Sequence, residues 1–368
     1  MAENNGTRPL DGIRVIEFSS LAPGPFSAMI LADFGADVIL LERPGGNRAG
    51  ISITGPAMFS RGKRSIVVDL KDPDQLDKVL ELTDDADVVI EGYRPGVMER
   101  LGLGPDVLHA RNPELIYARA TGWGQDGAYA QRAGHDINYI AIGGPLAQIG
   151  TDRPTPPGAF VGDFASGGLM MVIGVLLALQ ERARSGFGQV VDGAMVDGAN
   201  LLMAGPLELI RQGQLRPRGE NMLDGNAPFY GAYECADGRW YSVGAIEPNF
   251  YDSLLTVLGL DDEPREAQLD RARWPELRAR ISAIFRTRTC AEWDVELAAV
   301  DACVAPVLEI EDLLTNPHLL SRNSFRSQDG VPDPMPAPRL SRTPGWPGSL
   351  PEPGAHTADL LGPPQPRT

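Results

Sequence analysis

The amino-acid sequence predicts an α/β protein whose large domain is a doubly wound, largely parallel, Rossmann-like sheet, followed by a smaller α+β domain. Three observations lead to this prediction. Short apolar segments alternate with helix-forming segments through the first half of the chain, which is the pattern of βαβ units. These segments are short and mainly apolar, as strands of parallel sheets are. Helix-start signals such as Asp72-Pro73 stand between them.

Local patterns place each element of the large domain. Apolar and β-branched runs predict strands, and glycines such as Gly35 and Gly186 mark the residues that follow helices. The strands are expected at 13–18, 36–41, 65–70, 87–90, 115–121 and 189–196. The helices are expected at 26–33, 72–82 and 166–184, with a helix-like stretch up to residue 210.

The second domain is predicted from a hairpin that turns at Asp237-Gly238 and from three helical segments after it. The hairpin strands are expected at 229–235 and 240–245, and the helices at 249–258, 274–285 and 291–300. The predicted organisation is a large domain at 1–192, a linker at 193–228, a small domain at 229–312, a return linker at 313–335 and a C-terminal segment at 336–368. Because 11 of the 32 prolines lie between Pro332 and Pro366, this last segment is expected to wrap over another part of the molecule.

Composition excludes several classes of partner. The chain of 368 residues has 49 acidic and 33 basic residues, a net charge of −16, which argues against binding to nucleic acid or to anionic membranes. No apolar run approaches the roughly 20 residues of a membrane span, and the first residues are polar. The three cysteines form no C-x-x-C pair, so we expect no disulfide framework, no metal site and a cytoplasmic protein.

Basic residues gather near the predicted strand ends. Arg43, Lys71 and Arg94 each follow a strand, and ligands of parallel sheets bind at this edge. Further basic residues stand close to them in the sequence: Arg61, Lys63, Arg64 and Arg100. Solvated surface is the ordinary explanation of such residues, but arginines collected on one edge of an acidic protein favour phosphate binding.

The segment Gly122 to Gly127 matches the G-x-G-x-x-G pattern of dinucleotide-binding proteins. That pattern requires a helix that begins at the loop and belongs to the first βαβ unit. Here the segment follows a late strand, and the stretch after it breaks at Gly134. The sequence therefore gives little support to NAD binding.

Two residues are candidates for proton transfer. His135 precedes a predicted helix, where the helix dipole favours a neutral imidazole, and Asp136 and Asn138 are available to orient it. Asp163 stands near the start of another predicted helix and could be an ordinary N-cap. One imidazole and one carboxylate placed in this way could serve the two faces of a single substrate carbon. Glu247, which ends the second hairpin strand, signals little by itself.

Several ordered motifs resemble one family. GADVILLERPGG, KRSIVVDLKDP, EGYRPGVMERLGLG, AGHDINYIAIGG, VGDFASGG and YECADGRWYSVGAIEPNFY are similar to the family III CoA-transferase superfamily of CaiB/BaiF type over essentially the whole chain. The resemblance is greatest to its bacterial α-methylacyl-CoA racemase branch. It implies an interlocked homodimer in which the C-terminal segment rejoins the large domain.

The resemblance also implies roles for individual residues. His135 and Asp163 would form an acid/base pair, and Glu247 of the other subunit would hydrogen-bond His135. The CoA portion would contact residues that match the family's CoA contacts: Arg43, Val68, Asp69, Leu70, Lys71, Gly92, Tyr93, Arg94, Arg100, Gly134, Asp136, Ile137, Asn138 and Tyr139.

The function expected from this resemblance is interconversion of (2R)- and (2S)-2-methylacyl-CoA thioesters through an enolate. No metal or redox cofactor is expected, since CoA is part of the substrate. Backbone N–H groups of residues 134–136 are candidate donors to the enolate oxygen. Two alternatives stay open: a CoA-transferase that uses Asp163 as its nucleophile, and a non-enzymatic acyl-CoA-binding protein. The natural acyl group is left open by the sequence.

Overall fold

The computed structural model describes residues 8–45 and 57–362, and the chain divides into two compact units. The first unit runs up to Pro145 and continues with Pro157–Ala204 and with the chain from Asp333 onward. The second unit comprises Leu146–Pro156 and Gly205–Pro332.

Eleven strands are found in the described residues, and six of them form the main sheet. In chain order they are β1 (Arg14–Phe18), β2 (Asp37–Glu42), β3 (Arg64–Val67), β4 (Val88–Glu91), β5 (Ile116–Arg119), β6 (Val190–Asp192), β7 (Tyr230–Glu234), β8 (Trp240–Gly244), β9 (Val304–Pro306), β10 (Phe325–Gln328) and β11 (Val331–Pro334).

Fourteen α-helices occur in the same ranges. They are α1 (Pro23–Asp33), α2 (Pro73–Asp84), α3 (Val97–Arg100), α4 (Pro105–Arg111), α5 (Asp136–Gly143), α6 (Pro145–Gln148), α7 (Met170–Ser185), α8 (Met195–Leu202), α9 (Ala204–Arg211), α10 (Pro248–Val257), α11 (Trp274–Phe285), α12 (Cys290–Leu297), α13 (Pro317–Ser321) and α14 (Thr357–Leu361). Short 3₁₀ turns lie at Ala57–Ser60, Gly158–Phe160, Arg265–Ala267 and Ile310–Asp312, and π-helical turns at Val161–Leu169 and Met222–Asn226.

The main sheet has the order β3-β2-β1-β4-β5-β6, and all of its neighbouring strands are parallel. The strand order reverses between β1 and β4, which is the topological switch point of a Rossmann-type sheet. The predicted α/β class with a doubly wound parallel sheet is therefore confirmed. Two apolar clusters of buried residues, one containing Ile16 and Ile39 and the other Val15 and Val38, alternate along β1 and β2.

Helix α8 belongs to the first unit, although residues 193–204 were predicted to be part of a linker. The physical reason is close packing against the π-helical turn Val161–Leu169. A side chain on Gly198 would lie 2.2 Å from the carbonyl oxygen of Ser166, so the glycine allows the two backbones to meet. The predicted strand at 189–196 is correspondingly shorter, since the chain turns into α8 at Met195.

The proline-rich C-terminal segment covers the edge strand β3. The backbone N–H of His356 donates to the carbonyl oxygen of Ser65 at 2.9 Å, and the N–H of Val67 donates to Oγ1 of Thr357 at 2.9 Å. Leu361 is buried in one of the two clusters of the large unit. The expectation that this segment wraps over another part of the molecule is met, and a sheet edge is covered as a result.

The second unit is organised around an aromatic core. Strands β7, β8 and β9 form an antiparallel sheet, against which Tyr233 and Tyr241 stack on Phe285 of α11. Trp274 and Trp293 are buried in the same cluster. The β7–β8 hairpin and the helices α10 and α11 lie within one residue of their predicted positions, and α12 ends three residues earlier than predicted.

One continuous helical stretch, Gly158–Ser185, is 28 residues long and apolar enough to cross a membrane by length and composition alone. Core helices of globular proteins meet the same criterion, so the stretch is only a weak indication of a span. This stretch does not stand out as one apolar run in the sequence, because glycines and Asp163 interrupt its apolar residues.

Candidate active site

His135 lies immediately before α5, at the N-cap position, with an extended backbone. Its N–H donates to Oδ1 of Asn138 at 3.0 Å, which fixes the start of the helix. The side chain of His135 is exposed. The backbone N–H of His135 is already bonded to Asn138, so it is removed from the predicted set of donors to the enolate oxygen. The backbone N–H of Asp136, at the first helical position, has no acceptor within its own helix.

Asp163 is the third residue of the π-helical turn Val161–Leu169, inside the stretch that is helical from Gly158 onward. The prediction of a helix that begins near Ser166, with Asp163 just before it, was wrong. The turn is built from glycines that permit close contacts: side chains on Gly167 and Gly168 would lie 2.9 Å from Pro23 and 2.5 Å from Phe26. Such π-helical turns are often found at functional sites.

The side chain of Asp136 connects these two segments. Its Oδ2 accepts the backbone N–H of Asp163 at 2.7 Å, and it also accepts the N–H of Gly162. A side chain on Gly162 would lie 2.3 Å from this same oxygen. The first residue of α5 therefore holds the π-helical turn that carries Asp163.

The carboxyl group of Asp163 is half-buried, and burial raises its pKa to about 6, with a further contribution from the negative charge of Asp136. The neighbouring His135 acts in the opposite direction and lowers this pKa. The next residue, Phe164, packs against Phe26 of α1 with ring centroids 5.0 Å apart. A carboxyl group with this pKa can both accept and donate a proton near neutral pH.

Tyr139 explains two glycines of the G-x-G-x-x-G region. A side chain on Gly122 would lie 2.0 Å from the Tyr139 ring, and one on Gly134 would lie 2.7 Å from it. The ring also meets the edge of Trp123, with centroids 4.7 Å apart. These glycines make room for a buried ring, and no helix follows the segment until Asp136, so the dinucleotide interpretation loses its structural basis.

A pocket of about 480 Å³ lies at the carboxyl ends of β1, β2 and β3. Six of the predicted CoA-contacting residues line it: Arg43, Val68, Asp69, Leu70, Lys71 and Tyr93. Sequence reasoning missed its other walls: Phe18, Ser19, Leu41, Glu42, Pro44, Val97 and Leu101. Five of these seven lie next to predicted residues or in predicted strands. Four of the five stand at strand ends, so strand-end position was a signal that could have found those four.

The pocket wall at Tyr93 is held from two sides. The Tyr93 hydroxyl is hydrogen-bonded to the side chain of Arg43, while its backbone N–H donates to Oε2 of Glu91 at 2.7 Å. Burial raises the pKa of Glu91 to about 7, which Arg119 partly offsets. An arginine at the pocket rim is thereby oriented by a neighbouring strand end.

Eight predicted CoA residues do not line this pocket, and three of them follow β4: Gly92, Arg94 and Arg100. Gly92 brings the loops after β1 and β4 together, since a side chain there would lie 2.9 Å from Ser20. Arg94 and Arg100 are exposed, and the charge of Arg94 acts on Tyr139. The predicted residues Gly134, Asp136, Ile137, Asn138 and Tyr139 lie at the start of α5, around His135.

Two members of the basic cluster are not available to a ligand. Lys63 is fully buried and donates from Nζ to Oε2 of Glu17 on β1 at 2.5 Å. Arg61 is buried between Asp33 of α1 at 2.6 Å and Asp333 of β11 at 2.5 Å. These two residues therefore take no part in phosphate binding at the sheet edge, because carboxylates from distant parts of the chain already pair with them.

Glu247 belongs to the second unit, where it is the exposed N-cap residue of α10. Pro248 follows it at the first helical position, where its fixed φ suits the start of a helix. Its predicted hydrogen bond with His135 stays a prediction.

Comparison with known proteins gives the family. The model of CoA-transferase family III matches residues 10–357. The chain belongs to this family. The resemblance predicted from the motifs is thus confirmed.

Relatives within family III carry more specific names. The chain is 46% identical over 362 residues to the α-methylacyl-CoA racemase of Mus musculus, covering 96% of this chain and 92% of the relative. It is 45% identical over 358 residues to that of Homo sapiens, with the same coverage. Among solved structures it resembles a CaiB/BaiF family protein from Brucella suis, with a TM-score of 0.82 and 31% identity over 96% of this chain and 99% of that one.

Proposed function

We propose that the protein is a racemase that interconverts (2R)- and (2S)-2-methylacyl-CoA thioesters by removing and replacing the proton on C2. The observation that carries this proposal is that Asp136, the residue after His135, accepts the backbone N–H of Asp163 at 2.7 Å and so brings two acid–base groups, His135 and Asp163, into one site. Racemisation needs one such group on each face of the carbon. The 45–46% identity to proteins named α-methylacyl-CoA racemase supports the same activity.

In the proposed reaction, one group takes the C2 proton, and the electron pair of the C–H bond moves into the thioester as an enolate. The other group then delivers a proton to the opposite face, which restores the carbonyl and inverts C2. His135 and Asp163 exchange protonation states in each turnover, so the enzyme alternates between two resting forms. The thioester itself acidifies the C2 proton, and the proposed reaction therefore uses no further cofactor.

The enolate oxygen carries the developing negative charge and needs a hydrogen-bond donor. We assign this role to the backbone N–H of Asp136, because it lies at the first position of α5, next to His135. The CoA portion is assigned to the pocket at Arg43, Lys71 and Tyr93, where basic groups can pair with phosphates. Because the CoA portion binds away from C2, its binding energy can be used to hold C2 in the orientation that proton transfer needs.

We further propose an interlocked homodimer of cytoplasmic location, in which Glu247 of the partner subunit completes the site. What supports association is an exposed apolar stripe on α7: Ile173, Leu176 and Leu177 follow one another at helical spacing. Large apolar side chains exposed in this way, in a chain with a net charge of −16, are typical of a subunit interface.

Incubation with (2S)-2-methyldecanoyl-CoA in D₂O tests the reaction. We expect deuterium at C2 and both epimers at equilibrium, with no carboxylic acid added. If label and epimer appear only after a free acid is supplied as CoA acceptor, the protein is a transferase with Asp163 as nucleophile. Tight binding without any exchange would instead identify an acyl-CoA-binding protein.

Co-expression of two inactive variants tests the shared site. His135→Ala and Glu247→Ala chains are expected to be inactive alone, while the mixed dimer has one site with neither substitution. Activity in the isolated mixed dimer, but in neither parent, supports Glu247 acting across the interface. A mixed dimer as inactive as its parents contradicts it, and sedimentation of the wild-type chain as a monomer contradicts the dimer altogether.

A further inference from the structure

We propose that the side chain of Asp136 is a positioning residue for Asp163, which it holds through two backbone N–H groups and to which it presents a negative charge. This inference rests on the proposed racemase function for its kinetic consequences. It does not concern the backbone N–H of Asp136, to which a separate role was assigned above.

The first support is geometric. An acidic residue in the first turn of a helix usually interacts with that helix's own N–H groups and dipole. The Asp136 carboxylate turns away instead and accepts the N–H groups of Gly162 and Asp163, the latter at 2.7 Å. Two charge-assisted hydrogen bonds to consecutive residues fix both the position and the rotation of the turn that carries Asp163.

The second support is the fit of the two segments. The missing side chain of Gly162 leaves the space that Oδ2 of Asp136 occupies, since a carbon there would lie 2.3 Å from this oxygen. The half-buried carboxylate of Asp136 is itself raised in pKa by burial, and its two backbone hydrogen bonds counteract that effect. Together these contacts support a carboxylate that is ionised and bound.

The third support is electrostatic. Two ionisable side chains at the start of α5, His135 and Asp136, change the pKa of Asp163. A third side chain of this helix, Tyr139, has its own pKa raised by Asp163. The negative charge of Asp136 raises the pKa of Asp163, whereas His135 lowers it.

The other helices packed on the turn contact it through uncharged residues: Pro23 and Phe26 of α1, and Met195 of α8. The acidic residues of those helices act elsewhere, since Asp33 pairs with Arg61 and Asp197 acts on Asp192. Asp136 is therefore positioned to favour the protonated form of Asp163.

Two substitutions separate the two parts of this role. Asp136→Asn keeps an oxygen that can accept the N–H groups but removes the charge, whereas Asp136→Ala removes both. We expect Asp136→Ala to lower kcat roughly 100-fold with little change in KM, because a misplaced reacting group loses about that much. Asp136→Asn should retain most of kcat. Asp106→Asn, which alters an exposed acidic residue in the first turn of α4, is the matched control and should behave as wild type.

The pH dependence distinguishes positioning from mere structural support. For the epimer whose proton is taken by Asp163, kcat/KM of the wild type should fall below a pH of about 6, as the carboxyl becomes protonated. Removing the charge of Asp136 stabilises ionised Asp163, so Asp136→Asn should move this limb to lower pH. Titration of the Asp163 carboxyl by ¹³C NMR, assigned with Asp163→Asn, should show the same shift without any turnover.

The outcomes are separable. An unchanged Asp163 titration in Asp136→Asn, or an Asp136→Ala enzyme with wild-type kcat, overturns the inference. A wild-type protein that exchanges no C2 proton defeats the proposed function instead, and the NMR titration then still decides whether Asp136 acts on Asp163.

Discussion

The two segments that carry the candidate acid–base groups differ in how tightly they are held. His135 is exposed at the beginning of α5, and its backbone is fixed by one hydrogen bond that its N–H donates to the side chain of Asn138. Asp163 is half-buried in a π-helical turn that Asp136 holds and that α1 and α8 approach closely through glycines. The difference indicates that the pKa of Asp163 and the placement of its backbone are set by many contacts, whereas His135 can adjust to its ligand and to solvent.

The sharpest test of this difference is to remove each group in turn. We expect His135→Ala and Asp163→Asn each to lower the racemisation rate about 1,000-fold, since a positioned acid–base group contributes on that order. The variants should differ in deuterium exchange. Asp163→Asn retains the exposed imidazole, which exchanges its proton with D₂O, and so it should still label one epimer.

His135→Ala retains the half-buried carboxyl, which returns more of the abstracted protons, so it should label the opposite epimer more slowly. NMR of the recovered thioesters measures both rates. Equal labelling of both epimers by either variant would contradict an assignment of one group to each face.

A smaller effect is expected from Gly162→Ala. Its new carbon would lie 2.3 Å from Oδ2 of Asp136, so the turn must move and carry Asp163 with it. We expect kcat to fall roughly 100-fold, as for other misplaced catalytic groups, and the free energy of unfolding to fall by about 1–3 kcal/mol. Steady-state kinetics and urea unfolding measure the two quantities.

Gly205→Ala is the matched control for this substitution. Gly205 lies in α9, and a side chain there meets nothing within 4 Å. Pro206 follows Gly205 and disfavours a helical residue with a side chain before it, so alanine should change the free energy of unfolding by no more than about 1 kcal/mol and leave kcat unchanged. If Gly162→Ala behaved like Gly205→Ala, the turn around Asp163 would be no more tightly constrained than an open helix.

The sequence was sufficient for the fold because that fold rests on local patterns. The strands near Ile16 and Ile39 are mainly apolar, and Asp72-Pro73 marks the start of α2, where the Asp72 side chain accepts the N–H of Asp74. Arg43 and Lys71 were predicted as pocket residues because they follow strands, and parallel strands bring their carboxyl ends to one edge of the sheet.

Interactions between distant residues could not be read in this way. Lys63 finds Glu17 46 residues away, and Arg61 finds Asp333 272 residues away, so their burial leaves no trace in local periodicity. The π-helical turn was missed for a related reason. Its glycines weaken the helical pattern locally, and what stabilises the turn is packing against α8 and the carboxylate of Asp136.

The smallest effect is expected from Asn138→Ala, which alters the exposed start of α5 next to His135. This substitution removes the acceptor for the His135 N–H and thereby loosens the start of α5, which should lower the free energy of unfolding by about 1 kcal/mol. Activity should fall only severalfold, because the exposed His135 can still reach its ligand. Asn138→Asp keeps an acceptor oxygen and should recover the stability measured by urea unfolding. A loss of kcat as large as that of Gly162→Ala would show that the two segments are equally constrained, and that exposure of His135 does not give it freedom to adjust.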